Sequence, residues 1–165
     1  MTNAYTPMTF YLIALGVIIL DRITKLAIVQ ALRLGQGIPV VPGFFDIVFI
    51  LNPGAAFGFL ATLSDQVRNP FFILISVLAV ILIVFYHARY LRSRRLVSVA
   101  LGLVLGGALG NLIDRLHYGM VVDFLDVHVG PYHWPAFNVA DSAISIGVGL
   151  MILDMLLDWY RERRA

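Results

Sequence analysis

Four apolar stretches, at roughly 8–28, 71–87, 96–116 and 139–159, constrain this chain more than anything else in it. The hydrocarbon core of a bilayer is about 30 Å thick, which an α-helix crosses with roughly 20 residues. Backbone N–H and C=O groups inside that core find no water, so each stretch must satisfy its own by forming a helix. The whole chain is 60% hydrophobic and 13% charged, against about 45–50% and 25% in a soluble domain. The pattern predicts an integral membrane protein, mainly α, with four transmembrane helices in one domain covering 1–165. The first stretch has no basic segment ahead of it and no A-x-A-like cleavage site after it, so it reads as a retained span.

The segments between the spans carry the breaks. Residues 33–63 hold three prolines and several glycines, too many for one long helix. Phe44 to Leu51 is rich in β-branched and aromatic residues, which predicts a strand in a small extracytoplasmic β-sheet resting on the membrane surface. Asn52-Pro53-Gly54 is a turn signal. Ser64 is placed to cap a short surface helix that ends before Pro70. In the third span Gly102, Gly106 and Gly110 recur every four residues and form a flat strip, widened by Gly107, that lets another helix approach closely.

Charge placement orients the chain. Arg89, Arg92, Arg94 and Arg95 lie between spans two and three, and the chain ends RERRA. The positive-inside rule puts both in the cytoplasm, hence both termini inside and the loops at 29–70 and 117–138 outside. Asp21, Asn52, Asn111, Asp123 and Asp141 then gather near the outer membrane–water boundary. The net charge of +2, with arginines at membrane edges, gives no reason to expect a nucleic-acid partner. The absence of cysteine excludes disulfides, thiolate nucleophiles and zinc–cysteine sites.

Residues 121–141, VVDFLDVHVGPYHWPAFNVAD, place one acid at each end of a short polar excursion between spans three and four. A carboxylate close to hydrocarbon is costly and marks a functional site by default. Simpler readings exist for single residues. Asp21 and Lys25, at i and i+4, are either a snorkelling pair or an inward brace. Asn111, Asp114 and Arg115 suit a satisfied polar helix end, and Asp141 three residues after Asn138 suits a capping-box variant. A metal site from Asp126, His128 and His133 with Asp123 is conceivable, but the two histidines flank a Gly-Pro turn, and neither a metal nor another cofactor is expected. No G-x-S-x-G or H-E-x-x-H pattern occurs. What remains is a carboxylate pair. Two close acids share one proton, so one can activate water while the other donates to a carbonyl or leaving amine.

The sequence resembles the bacterial lipoprotein signal peptidases, also called signal peptidase II, over nearly its whole length. The resemblance rests on DRITK at 21–25, NPGAAF at 52–57, GGALGNLIDR at 106–115, VVDF at 121–124 and FNVAD at 137–141. It implies an aspartic endopeptidase of the bacterial cytoplasmic (inner) membrane that removes signal peptides from diacylglyceryl-modified prolipoproteins, cutting just before the lipidated cysteine. It implies Asp123 and Asp141 as the catalytic dyad and Asp21, Lys25, Asn52, Gly54, Asn111, Arg115 and Asn138 as substrate-binding or supporting residues. Lipid-modified prolipoproteins and membrane lipids are the implied partners, and globomycin-type inhibitors would occupy the site. The family's usual Asn-Thr-Gly turn is Asn52-Pro53-Gly54 here, which removes a hydroxyl and a backbone N–H. The alternative is a non-enzymatic transporter or channel subunit using the acids as an ion or proton relay.

Overall fold

The computed structural model of the protein describes residues 5–54, 64–90 and 95–164. In chain order the elements are α1 (Tyr5–Ala31), β1 (Gly37–Val41), β2 (Phe45–Asn52), α2 (Asp65–Tyr90), α3 (Arg95–Tyr118), β3 (Val121–Val129), β4 (Tyr132–His133) and α4 (Val139–Glu162). Three of the described helices, α2, α3 and α4, are long and apolar enough to cross a membrane. The first helix covers the expected span at 8–28 but carries Asp21, Arg22 and Lys25 in its second half.

The core explains why these helices assemble. Lipid tails are as apolar as leucine, so association depends on close backbone approach rather than on hydrophobic burial. The glycine strip of α3 provides that approach. A Cβ at Gly102 would lie 2.8 Å from the carbonyl oxygen of Phe10, and one at Gly106 only 2.6 Å from Cβ of Val17. At Gly110 it would meet Asp21 Oδ2 at 2.7 Å. Gly107 lies against the Ala140 carbonyl of α4, and Gly147 of α4 against the Ala100 carbonyl of α3. Phe10, Ala14, Val97, Leu101 and Leu105 fill the seam between α1 and α3. By contrast Leu74, Ile81, Leu82 and Phe85 of α2 are exposed along its length, which suits a helix facing lipid.

One expectation for α2 is corrected. The Ser64 backbone carbonyl accepts hydrogen bonds from the N–H groups of Val67 and Arg68. The helix it opens, however, does not stop before Pro70; it runs on to Tyr90 with Pro70 inside. The described residues therefore hold no separate short surface helix. Pro70 sits in the second turn, where its missing N–H removes one bond to the turn before. Asn69 braces that point by donating to the backbone oxygen of Arg115 at 3.3 Å.

The sheet is antiparallel, in the order β1-β2-β3-β4. It lies past the C-terminal end of α3 and the N-terminal end of α4, because β3 follows the first and precedes the second. The strand expected at Phe44–Leu51 is β2, and the segment at 117–138, expected to be a loop, holds two strands, β3 and β4. Pairing of β2 with β3 slips by one residue between Ile47 and Ile50, a bulge on β2 that bends this strand beside Asp123.

Candidate functional site

Asp123 sits mid-strand in β3 and Asp141 in the first turn of α4. The backbone between them is clamped at Phe137. Its carbonyl accepts from the N–H groups of Phe124 (3.0 Å) and Leu125 (2.8 Å), and its own N–H donates back to Leu125 at 3.0 Å. That clamp sets the next residue, Asn138, against Asp123. Asn138 is also the N-cap of α4, in an extended conformation, and forms a capping box with Asp141. Capping and proximity to the second acid are thus not rival readings of Asp141; both hold.

All four carboxylate oxygens receive amide hydrogen bonds. Asn138 Nδ2 donates to Asp123 Oδ1 at 2.7 Å, and Asn52 Nδ2 to Asp123 Oδ2 at 2.8 Å. Asn111 Nδ2 donates to Asp141 Oδ1 at 2.7 Å, and the Asn138 backbone N–H to Asp141 Oδ2 at 3.3 Å. Amide donors fix a carboxylate without bringing a charge to it. Burial, followed by the neighbouring Asp141 carboxylate, pushes the Asp123 carboxyl up to about 7, against the opposing effect of its two asparagine donors. The pair is therefore suited to holding one proton between its members near neutral pH.

Behind the pair lies a layer of formal charge. Lys25 is fully buried and contacts Asp21 Oδ2 at 2.9 Å and Asp114 Oδ2 at 2.8 Å. It donates to Asn111 Oδ1 at 3.0 Å. Arg22 also pairs with Asp114. Asp21 Oδ1 accepts from the N–H of Ala140, and Asp114 Oδ2 from that of Val122. So Asp21 holds the start of α4, Asp114 holds the start of β3, and Lys25 joins them. The inward-brace reading of Asp21 and Lys25 is the one that holds, since neither side chain reaches solvent.

Two further expected residues lie on the opposite side. Asn52 Oδ1 accepts from the Gly54 N–H at 2.8 Å, closing a turn around Pro53 that aims its amide at Asp123. Gly54 has φ +95°, and a Cβ there would collide with the Phe72 ring. The Arg115 guanidinium lies over the same ring, 4.5 Å from its centroid. Arg115 is 9% exposed, and its Nη1 has no hydrogen-bond partner among the described residues. Residues 55–57 of the NPGAAF stretch lie outside the described residues.

A cavity of about 490 Å³ opens beside Asp141. Asn52, segment 134–137, Ser142, Ser145 and Ile146 complete its wall. Sequence reasoning missed this wall, and also Arg22 and the role of Asp114. The signal for Asp114 was present: it falls in the GGALGNLIDR stretch, three residues after Asn111. Asp126 and His133 pair at 2.9 Å, while His128 stacks on the His133 ring. Among the described residues no group of three His, Asp or Glu is arranged to hold a metal ion.

The family model of signal peptidase II matches residues 13–157. The chain belongs to the signal peptidase II family. Among its relatives is the lipoprotein signal peptidase of Syntrophotalea carbinolica, 51% identical over 152 residues, covering 92% of this chain and 93% of that one. The lipoprotein signal peptidase of Geobacter sulfurreducens is 49% identical over 155 residues, with 94% of each chain covered. A bacterial membrane enzyme solved by the in meso method at 1.9 Å superposes with a TM-score of 0.84 at 38% identity, covering 94% of this chain and 97% of that one. Membership in the signal peptidase II family makes the protein a membrane protease, and the carboxylate pair lies within the matched region.

Proposed function

We propose that this chain is a membrane aspartic endopeptidase that removes signal peptides from diacylglyceryl-modified prolipoproteins, cutting just before the lipidated cysteine. The relatives' shared name, lipoprotein signal peptidase, supplies the substrate. The observation that carries the catalytic assignment is the pair itself: two carboxylates, each oxygen held by an amide donor, beside a largely apolar cavity at the helix ends. The relay alternative gives way to the family assignment.

The chemistry follows from the geometry. Asp123 is the protonated member near neutral pH, consistent with its raised pKa. Asp141, which lines the cavity, takes a proton from a water as that water attacks the scissile carbonyl. Asp123 protonates the carbonyl oxygen, giving a neutral tetrahedral diol. The diol collapses as its C–N bond breaks; Asp141 returns its proton to the leaving amine, and Asp123 recovers one from the diol hydroxyl whose oxygen becomes the new carbonyl. Arg115 Nη1 supplies a donor for a substrate carbonyl, which would complete its hydrogen bonding. Lys25, Asp21, Asn111, Asn138, Asn52 and Gly54 act as supports that hold the two acids in position.

In this reading α1 is a fourth span, its buried charges neutralised against α3 rather than exposed to lipid. Both termini face the cytoplasm of a bacterial cell, and the sheet faces out. The signal segment lies among the helices, acyl chains remain in lipid, and globomycin-type inhibitors occupy the cavity. The test is a cleavage assay with purified protein on a diacylglyceryl-modified precursor and on its unmodified counterpart. Release of the signal peptide from the modified precursor alone is expected. No cleavage of either would overturn the assignment.

A further inference from the structure

A second cavity, of about 390 Å³, adjoins the first. Segment 134–136 is a wall common to both. Its remaining lining is Ile50, Asp126 and His133. The volume lies within the roughly 300–1,000 Å³ typical of ligand sites. Nothing in the reaction above uses these side chains.

The lining chemistry differs from that of the first cavity. Both oxygens of Asp126 lie 2.9 Å from His133 Nδ1. This fixes the ring and leaves Nε2 as its other polar atom, on a side chain that is 50% exposed. The imidazole is held from behind by His128, stacked at 4.6 Å. Asp46 faces Asp126 across the β2–β3 pairing. Such a pre-positioned donor–acceptor pair beside Ile50 and Pro135 suits an extended peptide, whose backbone amides need partners when they leave water.

Position selects the occupant. The signal segment is apolar and belongs among the helices. The sheet lies past the ends of α3 and α4; with the sheet facing out, as in the cleavage reading, it flanks the path by which the polypeptide beyond the scissile bond reaches water. Asp126 is three residues beyond Asp123 on the same strand, a step of about 10 Å at roughly 3.3 Å per residue. That displacement is two to three residues of extended substrate, and because residues an odd number apart face opposite sides of a strand, the path runs round the shared 134–136 wall.

Building on the cleavage reading above, we propose that this second cavity binds the first residues of the mature lipoprotein, those just after the lipidated cysteine, with the Asp126–His133 pair hydrogen-bonding to them. The pair is a specificity element, not part of the proton chemistry.

The test compares two diacylglyceryl-modified substrates. One continues four residues past the cysteine with serine in the next position; the other ends at the cysteine as an amide. The ratio of kcat/KM on the longer substrate to that on the shorter is measured for the natural protein, His133→Ala and His133→Gln. The natural protein should favour the longer substrate. His133→Ala should lower the ratio about five- to tenfold, and His133→Gln, which keeps a hydrogen-bonding group, should restore part of it. An unchanged ratio in His133→Ala, or equal loss on both substrates, overturns the subsite. Failure of the natural protein to cleave either substrate overturns the peptidase reading itself and the subsite with it.

Discussion

Lys25 donates a 3.0 Å hydrogen bond to the side-chain oxygen of Asn111, and that contact joins the buried charges to the carboxylate pair. Asn111 in turn donates to Asp141 at 2.7 Å. The lysine therefore fixes which way round the Asn111 amide sits, and with it the acceptor role of Asp141. Lys25→Met should leave Asp21 and Asp114 sharing a buried site with only Arg22 as counter-charge. Breaking such a pair destabilises by about 3–5 kcal/mol. A lowered thermal midpoint in detergent is the expected result, with loss of cleavage following from it; an unchanged midpoint would show that the charges are not mutually dependent.

The acids should separate from the scaffold on mutation. Asp123→Asn and Asp141→Asn should each reduce cleavage by several orders of magnitude, because an amide cannot exchange the shared proton. Each variant also turns an N–H toward an existing donor, Asn52 or Asn138 at Asp123 and Asn111 or the Asn138 backbone at Asp141. That clash costs about 1–3 kcal/mol and is offset by removing a buried charge. Yield and thermal midpoint should therefore stay close to those of the natural protein. Retained turnover in either variant would end the two-carboxylate mechanism.

Asp123 also gives a pH signature. Its folded-state value of about 7 lies above the ordinary carboxylate value of 3.8, so the folded state keeps a proton that the unfolded state has released. This contribution to stability is complete below the unfolded value, declines as pH rises from about 4 towards 7 and is then gone. The difference in thermal midpoint between Asp123→Asn and the natural protein should accordingly move in the variant's favour from pH 5 to pH 8. Cleavage should fall on the alkaline side of about 7 as the proposed acid loses its proton. A pH-independent difference would contradict the raised value.

The glycine strip predicts a packing defect. Gly106→Leu would drive a side chain into Val17 and the Ala14 carbonyl, and overpacking of this kind typically costs about 1–3 kcal/mol. Gly16, which has nothing within 4 Å of its Cβ position, is the control: Gly16→Leu should be tolerated. Yield and thermal midpoint measured on both variants distinguish a packed face from a lipid-facing one.

Topology is tested with reporters. Fusions after Arg94 or at Ala165 should read as cytoplasmic, and fusions within 126–134 as external. An external C-terminus would overturn this topology, because it would require an odd number of crossings or a reversed start.

Much of this was legible in the chain. Spans three and four were visible as long apolar runs, and the recurrence of Gly102, Gly106 and Gly110 identified a close-packed face that the structure sets against α1. The turn at Asn52 was readable because Asx residues followed by proline and glycine close on their own backbone. Two things were not legible. Local rules place a helix end before Pro70, but packing of α2 on α3 and the Asn69 brace carry the helix through it. The strand β3 was hidden because its main partner, Phe45–Asn52, is far away in sequence, and no local signal records a long-range ladder. The same is true of Asp114, whose acceptor role becomes visible only when Val122 folds back over the end of α3.

The capping box at Asn138 has a dynamic consequence. The amide protons of Ala140 and Asp141 are both held by side chains of the site, Asp21 and Asn138 respectively, not by preceding helical carbonyls. Fraying of the first turn of α4 and dismantling of the carboxylate pair are therefore one event. Hydrogen–deuterium exchange at these two amides would report directly on the fraction of molecules assembled for turnover, and a bound inhibitor should slow both together.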